Sequence, residues 1–266
     1  MTIVAFYSKG TSIEVQNIWS KRLKFYYPSL KLVPLLSEEA KFATVALLWK
    51  APLNYLNRMT RIKGLISLGQ GVDHILNGDL IPGNIPVVRI VDPYMAKSMS
   101  HWVLLSILNI IRETYGYFSQ ENTKIYKPRD EKNFLSLKIG IYGIGAIGSV
   151  VAKDLSYMGF NVQGWSRTKK KIKTITCFSG NEGFTELITN SDIHVCLLPL
   201  TPSTENIFNK HIFINMKKGS CFINAGRGEH VDENHLLDSC RSGHISNAVL
   251  DVYKNEPLPK NHPLWK

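Results

Sequence analysis

Cysteine is scarce in this sequence. The four thiols, Cys177, Cys196, Cys221 and Cys240, stand far apart and form no Cys-x-x-Cys pair. That spacing excludes a disulfide-stapled scaffold and a thiolate metal ribbon. Cys196 and Cys221 fall in apolar, strand-like runs and read as buried thiols, which suits a reducing, cytoplasmic setting. No apolar run is long enough to span a bilayer, so no membrane association is expected. Met1 to Tyr7 lacks the basic flank and small-residue cleavage site of a signal peptide and reads as a first strand. Sequence repeats and low-complexity segments are missing too. Acidic residues are the minority, 21 against 32 Lys and Arg, for a net charge of +11. The basic residues are dispersed, apart from Lys169-Lys170-Lys171 and Lys217-Lys218. With no nucleic-acid motif beside them, they argue against a nucleic-acid partner. A positive field equally attracts small anions.

What is present is an alternation of short apolar runs with helix-like segments. Thr44 to Trp49 and Gly64 to Leu68 read as buried strands. Ser12 to Lys24, a short stretch through Leu53 and Leu56, and Met99 to Ile111 carry helical spacing. Pro28 and Pro34 punctuate the first part, and Val87 to Pro93 reads as a hinge. Residues 116–134, polar and aromatic with Pro128, read as an irregular arm. Beyond Lys138 follow strands at Lys138–Tyr142, Phe160–Trp165, Ile193–Leu198, Ser220–Asn224 and Ala248–Leu250. Helices are expected at Phe184–Thr189 and Glu233–Cys240. Such alternation predicts parallel sheets with helices on both faces.

The most informative stretch is Lys138 to Gly148, an apolar run passing into Gly143-x-Gly145-x-x-Gly148 and then a helical pattern. Between strand and helix, Gly143 permits the tight turn, Gly145 lets backbone approach a pyrophosphate, and Gly148 lets the helix pack on the strand. The amides of the first helical turn, at Ala146, Ile147 and Gly148, face the phosphates. The next strand ends in Trp165-Ser166-Arg167-Thr168 with no acid at its tip. An acid there would hold a ribose 2′-hydroxyl and repel a 2′-phosphate. Ser166, Arg167 and Thr168 instead offer hydroxyls and a guanidinium fork, so the expected cofactor is NADP(H) in preference to NAD(H).

Three more loops follow strands: Leu198-Pro199-Leu200-Thr201-Pro202-Ser203-Thr204, Asn224-Ala225-Gly226-Arg227-Gly228, and Leu250-Asp251 through Glu256-Pro257-Leu258-Pro259. All lie at the carboxyl edge of the expected sheet, where ligands bind. With Trp49-Lys50-Ala51-Pro52, Gly69-Gln70-Gly71-Val72-Asp73 and Pro263-Leu264-Trp265, they resemble the D-isomer-specific 2-hydroxyacid dehydrogenase family, in its glyoxylate/hydroxypyruvate reductase A branch. The resemblance covers nearly the whole chain.

It implies two Rossmann-like, doubly wound domains with a cleft between them: a flavodoxin-like substrate domain over 1–92 and an NAD(P)-binding domain over 93–266. It implies NADPH-dependent reduction of a small 2-oxo acid and a homodimer built on the region 99–134. Arg227 would clamp the substrate carboxylate, and Glu256 would pair with a catalytic histidine and keep it protonated. The backbone amides of Gly69, Gln70, Gly71 and Val72 would bind the carboxylate, with Trp49 lining the pocket. Asp251 would accept from the nicotinamide carboxamide. Leu198, Pro199, Thr204 and Ala225 would contact ribose and ring, and Met99 the nicotinamide end.

The sequence departs from the family pattern in two places. The family's catalytic histidine falls beyond Pro263-Leu264-Trp265, past Lys266, as does the segment that returns to the substrate domain. His262 belongs to the docking stretch and is not expected to replace that histidine. His101 stands where the family has a carboxylate, and His230, after the arginine loop, reads as a surface residue. The alternative function is therefore a non-catalytic dinucleotide-binding sensor or scaffold, and the expectation is a fragment of a longer reading frame.

Overall fold

A computed structural model describes residues 1–76, 81, 84–129 and 133–265. Lys266 and residues 130–132 of the expected arm lie outside the described residues. The chain divides into two compact units, Met1–Asp92 and Pro93–Lys266.

In the first unit, five parallel strands run in the order β2-β1-β3-β4-β5. They are β1 (Thr2–Ser8), β2 (Leu30–Pro34), β3 (Val45–Trp49), β4 (Gly64–Ser67) and β5 (Val87–Arg89). Parallel strands covered on both faces need unbroken apolar runs, as Val45 to Leu48 supply. Their core is Ala5, Val33, Ala46, Leu48 and Leu65, closed by Leu53, Leu56, Met59 and Ile75. Helix α1 (Ile13–Tyr26) is capped by Ser12, whose hydroxyl accepts from Val15 N–H. The helix α2 (Asp73–Leu76) follows the Gly69–Val72 loop. Two expectations change here. Leu30–Pro34 is an edge strand, where a terminal proline costs no interior ladder bond. Val87–Arg89, read as a hinge, is the opposite edge strand.

In the second unit, six parallel strands run β11-β10-β9-β6-β7-β8. They are β6 (Lys138–Tyr142), β7 (Asn161–Ser166), β8 (Thr176–Ser179), β9 (Ile193–Cys196), β10 (Ser220–Asn224) and β11 (Ile245–Leu250). The order reverses about β6, so the carboxyl ends of β6 and β9 flank the switch point where doubly wound sheets bind ligands. Helix α3 (Pro93–Ile111) precedes the sheet and buries Val103, Ile107 and Ile110 beside Val151 and Leu155 of α5 (Ala146–Tyr157). Lys97 Nζ and Ser100 Oγ donate to the two oxygens of Asp154 at 2.8 and 2.6 Å, tying α3 to α5. Burial opposes ionisation of Asp154, but these two donors outweigh it and hold the carboxyl below the usual range.

Helix α6 (Gly180–Asn190) contributes Phe184, Leu187 and Ile188 to a second, aromatic core with Tyr142, Phe208, Phe213 and Phe222; α7 (Lys210–Asn215) and α8 (Glu233–Arg241) complete that layer. The start of the expected arm is helical, as α4 (Thr114–Asn122). Strand β8 and helix α7, too short to announce themselves by periodicity, are additions to the sequence reading. No helix among the described residues is long and apolar enough to cross a membrane.

Candidate active site

Because the second sheet is parallel, the loops after β6, β7, β9, β10 and β11 emerge at one edge. Gly143 there has φ +102°, open to glycine at little cost, and a Cβ on it would lie 2.6 Å from the Leu197 carbonyl. A Cβ on Gly148 would strike the Gly143 carbonyl itself, so the helix starts flush on the strand. In front of Gly145 there is only open space. Gly145 is also the N-cap of α5, whose first-turn amides at Ala146, Ile147 and Gly148 have no intrahelical partners. Space for an anion thus lies against amides able to bind it.

A cleft of about 770 Å³ opens from this loop. It gathers eight of the sequence-predicted residues: Gly143, Gly145, Ser166, Arg167, Thr168, Leu198, Pro199 and Thr204. Its lining carries the cations Arg167 and Lys170 and no acid among the described residues. Ser166 Oγ donates to the Thr168 carbonyl at 2.8 Å and so bends the β7 tip into a closed turn. Thr204 Oγ1 donates to the Pro199 carbonyl at 2.7 Å and accepts from Thr201 N–H at 2.8 Å. Its hydroxyl therefore shapes the loop rather than pointing a spare donor outward. This set of groups fits a phosphorylated dinucleotide: an open glycine cradle, unpaired helix amides and a cationic tip.

The remaining predicted residues sit elsewhere. Met99, on α3, packs against the apolar core beneath the sheet. Ala225 is half-buried after β10, and Asp251 is exposed after β11. Partial burial and the neighbouring Glu256 carboxylate push the Asp251 carboxyl up from its usual range. Glu256 is exposed and accepts from Tyr253 N–H at 3.3 Å.

Arg227 rests on a folded clip. Asn224, at the end of β10 and 1% exposed, donates from Nδ2 to the Arg227 carbonyl at 2.9 Å and accepts from Gly226 N–H at 3.1 Å. Arg227 N–H donates to His230 Nδ1 at 3.0 Å, and Arg227 Nη1 donates to the Gly226 carbonyl at 2.8 Å. His230 is completely buried, which corrects its reading as a surface residue: the turn Gly228–His230 folds it inward beside the Cys196 thiol, 3.7 Å away. Burial pushes that thiol up to about 12. A Cβ on Gly228 would collide with the backbone of Tyr253 and Lys254, so the arginine loop lies flush against the loop that carries Glu256. His262 Nε2 is 3.6 Å from Glu233 Oε2, and Glu233 also accepts from Lys254 N–H at 2.9 Å.

In the first unit, Trp49 and the Gly69–Val72 loop meet directly. The indole fills the space a Cβ on Gly69 would need and stands edge-on to the His74 ring, with centroids 4.7 Å apart. Gly69 N–H donates to Ser67 Oγ at 3.2 Å, so among the four predicted amides that of Gly69 is committed internally. Gln70 Nε2 donates to the Asp92 carbonyl at 3.4 Å.

Sequence reasoning assigned no role to Asn224, His230, Ser67 or His74. Their signal was adjacency: each stands within a quoted motif or a few residues from it, but the inward turn that brings them to bear exists only in the fold.

Comparison with known proteins places this geometry in context. The family model for the NAD binding domain of D-isomer specific 2-hydroxyacid dehydrogenases matches residues 102–266. Glyoxylate/hydroxypyruvate reductase A from Yersinia enterocolitica is 33% identical over 252 residues, 93% of this chain and 80% of that protein. The protein of the same name from Serratia proteamaculans is 35% identical over 229 residues, 84% of this chain and 73% of that protein. Among solved structures, a D-isomer specific 2-hydroxyacid dehydrogenase from Xanthobacter autotrophicus Py2, in complex with NADPH and MES, superposes with a TM-score of 0.91. It is 32% identical, and the match covers 99% of this chain and 84% of that one. The NADPH-dependent glyoxylate/hydroxypyruvate reductase from Sinorhizobium meliloti, in complex with NADP and sulfate, gives 0.89 at 29% identity, over 100% of this chain and 85% of that one. From glycine cradle to arginine clip, and over nearly its full length, the chain belongs to the D-isomer specific 2-hydroxyacid dehydrogenase family.

Proposed function

We propose that the protein is an NADPH-dependent reductase of small 2-oxo acids, with glyoxylate or hydroxypyruvate as substrate. The single observation that carries the cofactor choice is the β7 tip: Arg167 and Lys170 line the cleft with no acid beside them among the described residues. A 2′-phosphate gains charge-assisted hydrogen bonds there, and the acid that would favour a bare ribose is missing. Gly145 and the first turn of α5 hold the pyrophosphate, and Leu198 and Pro199 form the wall against which ribose and ring rest. Bound NADPH supplies the hydride.

The chain's own residues bind and orient the substrate. Arg227, its backbone held by the Asn224–His230 clip, presents its guanidinium to the substrate carboxylate and polarises the keto oxygen as negative charge grows there. The amides of Gln70, Gly71 and Val72 bind the carboxylate from the substrate domain, 1–92, and Trp49 bounds the pocket. Asp251 orients the carboxamide. Glu256 would hold the family's proton-donating histidine charged, a residue that is not among the described ones. The assembly is a homodimer formed through the region 99–134. NADPH consumption in the presence of glyoxylate, with glycolate as product, tests the reading. Binding of NADPH by calorimetry without turnover on any small 2-oxo acid would favour the sensor function instead.

A further inference from the structure

We propose that Ser67 and His74 are positioning residues that together hold the carboxylate-binding loop and the pocket tryptophan in place. This rests on the reductase reading above. Ser67 ends β4 and is completely buried. Its Oγ donates to the Gly71 carbonyl at 2.7 Å and accepts from Gly69 N–H at 3.2 Å. His74 Nε2 lies 3.1 Å from the same oxygen, and His74 Nδ1 accepts from Lys50 N–H at 3.2 Å. An accepting Nδ1 fixes the ring proton on Nε2, which then donates to Ser67 Oγ. The hydroxyl thus has both acceptor positions filled and its one proton used.

The orientation of the loop follows. A planar trans peptide points its C=O and N–H in opposite directions. Capture of the Gly71 carbonyl by Ser67 therefore turns the Val72 N–H away from Ser67, as an anion donor requires. Capture of Gly69 N–H sets the opposite end of the loop. The His74 ring also carries the edge-on indole of Trp49, and its Nδ1 fixes Lys50, which follows Trp49 with φ +46°. One serine–histidine pair thereby locks both the donor loop and the pocket wall, each from the ends of neighbouring strands β3 and β4. Neither side chain has to touch the substrate for this.

The test separates substrate positioning from general stability. Ser67→Ala and His74→Ala should raise the KM for glyoxylate about tenfold or more, with kcat changed less than about threefold. The Kd for NADPH, measured by calorimetry on the same preparations, should stay within about twofold, because the cofactor cleft lies in the other unit. His74→Gln should recover part of the loss, since its amide N–H can reach Ser67 Oγ while its ring contact with Trp49 is gone. Wild-type KM in both alanine variants overturns this proposal alone. So does a loss of NADPH affinity that parallels the KM, which marks a purely structural role. A wild-type protein that binds NADPH and turns over no 2-oxo acid overturns the reductase reading and this proposal with it.

Discussion

Arg227 donates its backbone N–H to Nδ1 of the completely buried His230 at 3.0 Å. The residue proposed to hold the substrate is thus fixed from beneath by an imidazole that never meets solvent. Together with the Asn224 contacts, this ties the arginine loop internally, as preorganised electrostatic stabilisation requires.

Replacing His230 by Ala should cost about 1–3 kcal/mol in urea unfolding, because a buried donor loses its acceptor. It should also lower kcat/KM at least tenfold while NADPH binding changes little. His230→Asn, whose side-chain oxygen can take over part of the Nδ1 role, should retain more of both. Equal kcat/KM for wild type and His230→Ala would remove the clip from the account.

Gly228→Ala places a methyl group against the backbone of Tyr253 and Lys254. Backbone cannot rotate aside as a side chain can, so the arginine loop and the Glu256 loop must separate. The expected destabilisation is about 1–3 kcal/mol, with loss of turnover exceeding loss of NADPH affinity. Thermal unfolding with parallel kinetics checks both.

Arg167→Ala should weaken NADPH by roughly ten- to a hundredfold, the loss of a charge-assisted phosphate contact. NADH, which has no 2′-phosphate, should be nearly unaffected, so the preference ratio collapses. The NADPH Kd of the wild type should also rise with ionic strength more steeply than that of the variant. An unchanged preference would show that the β7 tip does not read the phosphate.

His194 predicts a pH dependence of stability. It is completely buried on β9, 2.8 Å from the Tyr142 hydroxyl, and burial pushes it from its ordinary 6.5 down to about 3. Between those values the unfolded chain binds a proton that the folded chain does not, so stability falls as pH falls through this window. The slope from this residue is ~1.4 kcal/mol per pH unit. Asp154 and Asp232 are both held below their ordinary 3.8, and their contribution is lost only as pH falls below that value. The Asp251 carboxyl, pushed up from 3.8, contributes equally to wild type and to a His194 variant, so the difference between their unfolding free energies from about pH 6 to about pH 4 isolates the histidine. His194→Gln should flatten the profile there, and an unchanged slope would contradict it.

Much of the fold was legible because parallel strands buried on both faces write continuous apolar runs, as at Thr44–Trp49 and Ile193–Leu198. Glycines at a strand-to-helix turn marked the cradle for the same reason, since Gly143 and Gly148 leave no room for a Cβ. Short edge elements escaped. Leu30–Pro34 and Val87–Arg89 carry proline or charge and too few residues to show a period. The start of the expected arm is helical although α4 buries no residue, so no apolar face announced it. The site's outer residues were readable by motif, but its supports were not. Ser67, His74, Asn224 and His230 act through hydrogen bonds across turns, and sequence spacing alone does not say which way a turn folds its side chains. His230 shows the cost: a histidine in a polar loop read as exposed, whereas its ring is the floor of that loop.

The most direct measurement of the central claim is NADPH oxidation by the purified protein with glyoxylate, run beside Arg227→Lys. The account predicts one glycolate formed per NADPH consumed by the wild type. It predicts a fall of roughly a hundredfold or more in kcat/KM for the lysine variant, which keeps the charge and loses the fork, with NADPH affinity retained. A wild type that binds NADPH yet reduces no small 2-oxo acid, or a lysine variant that turns over as fast as the wild type, would contradict it.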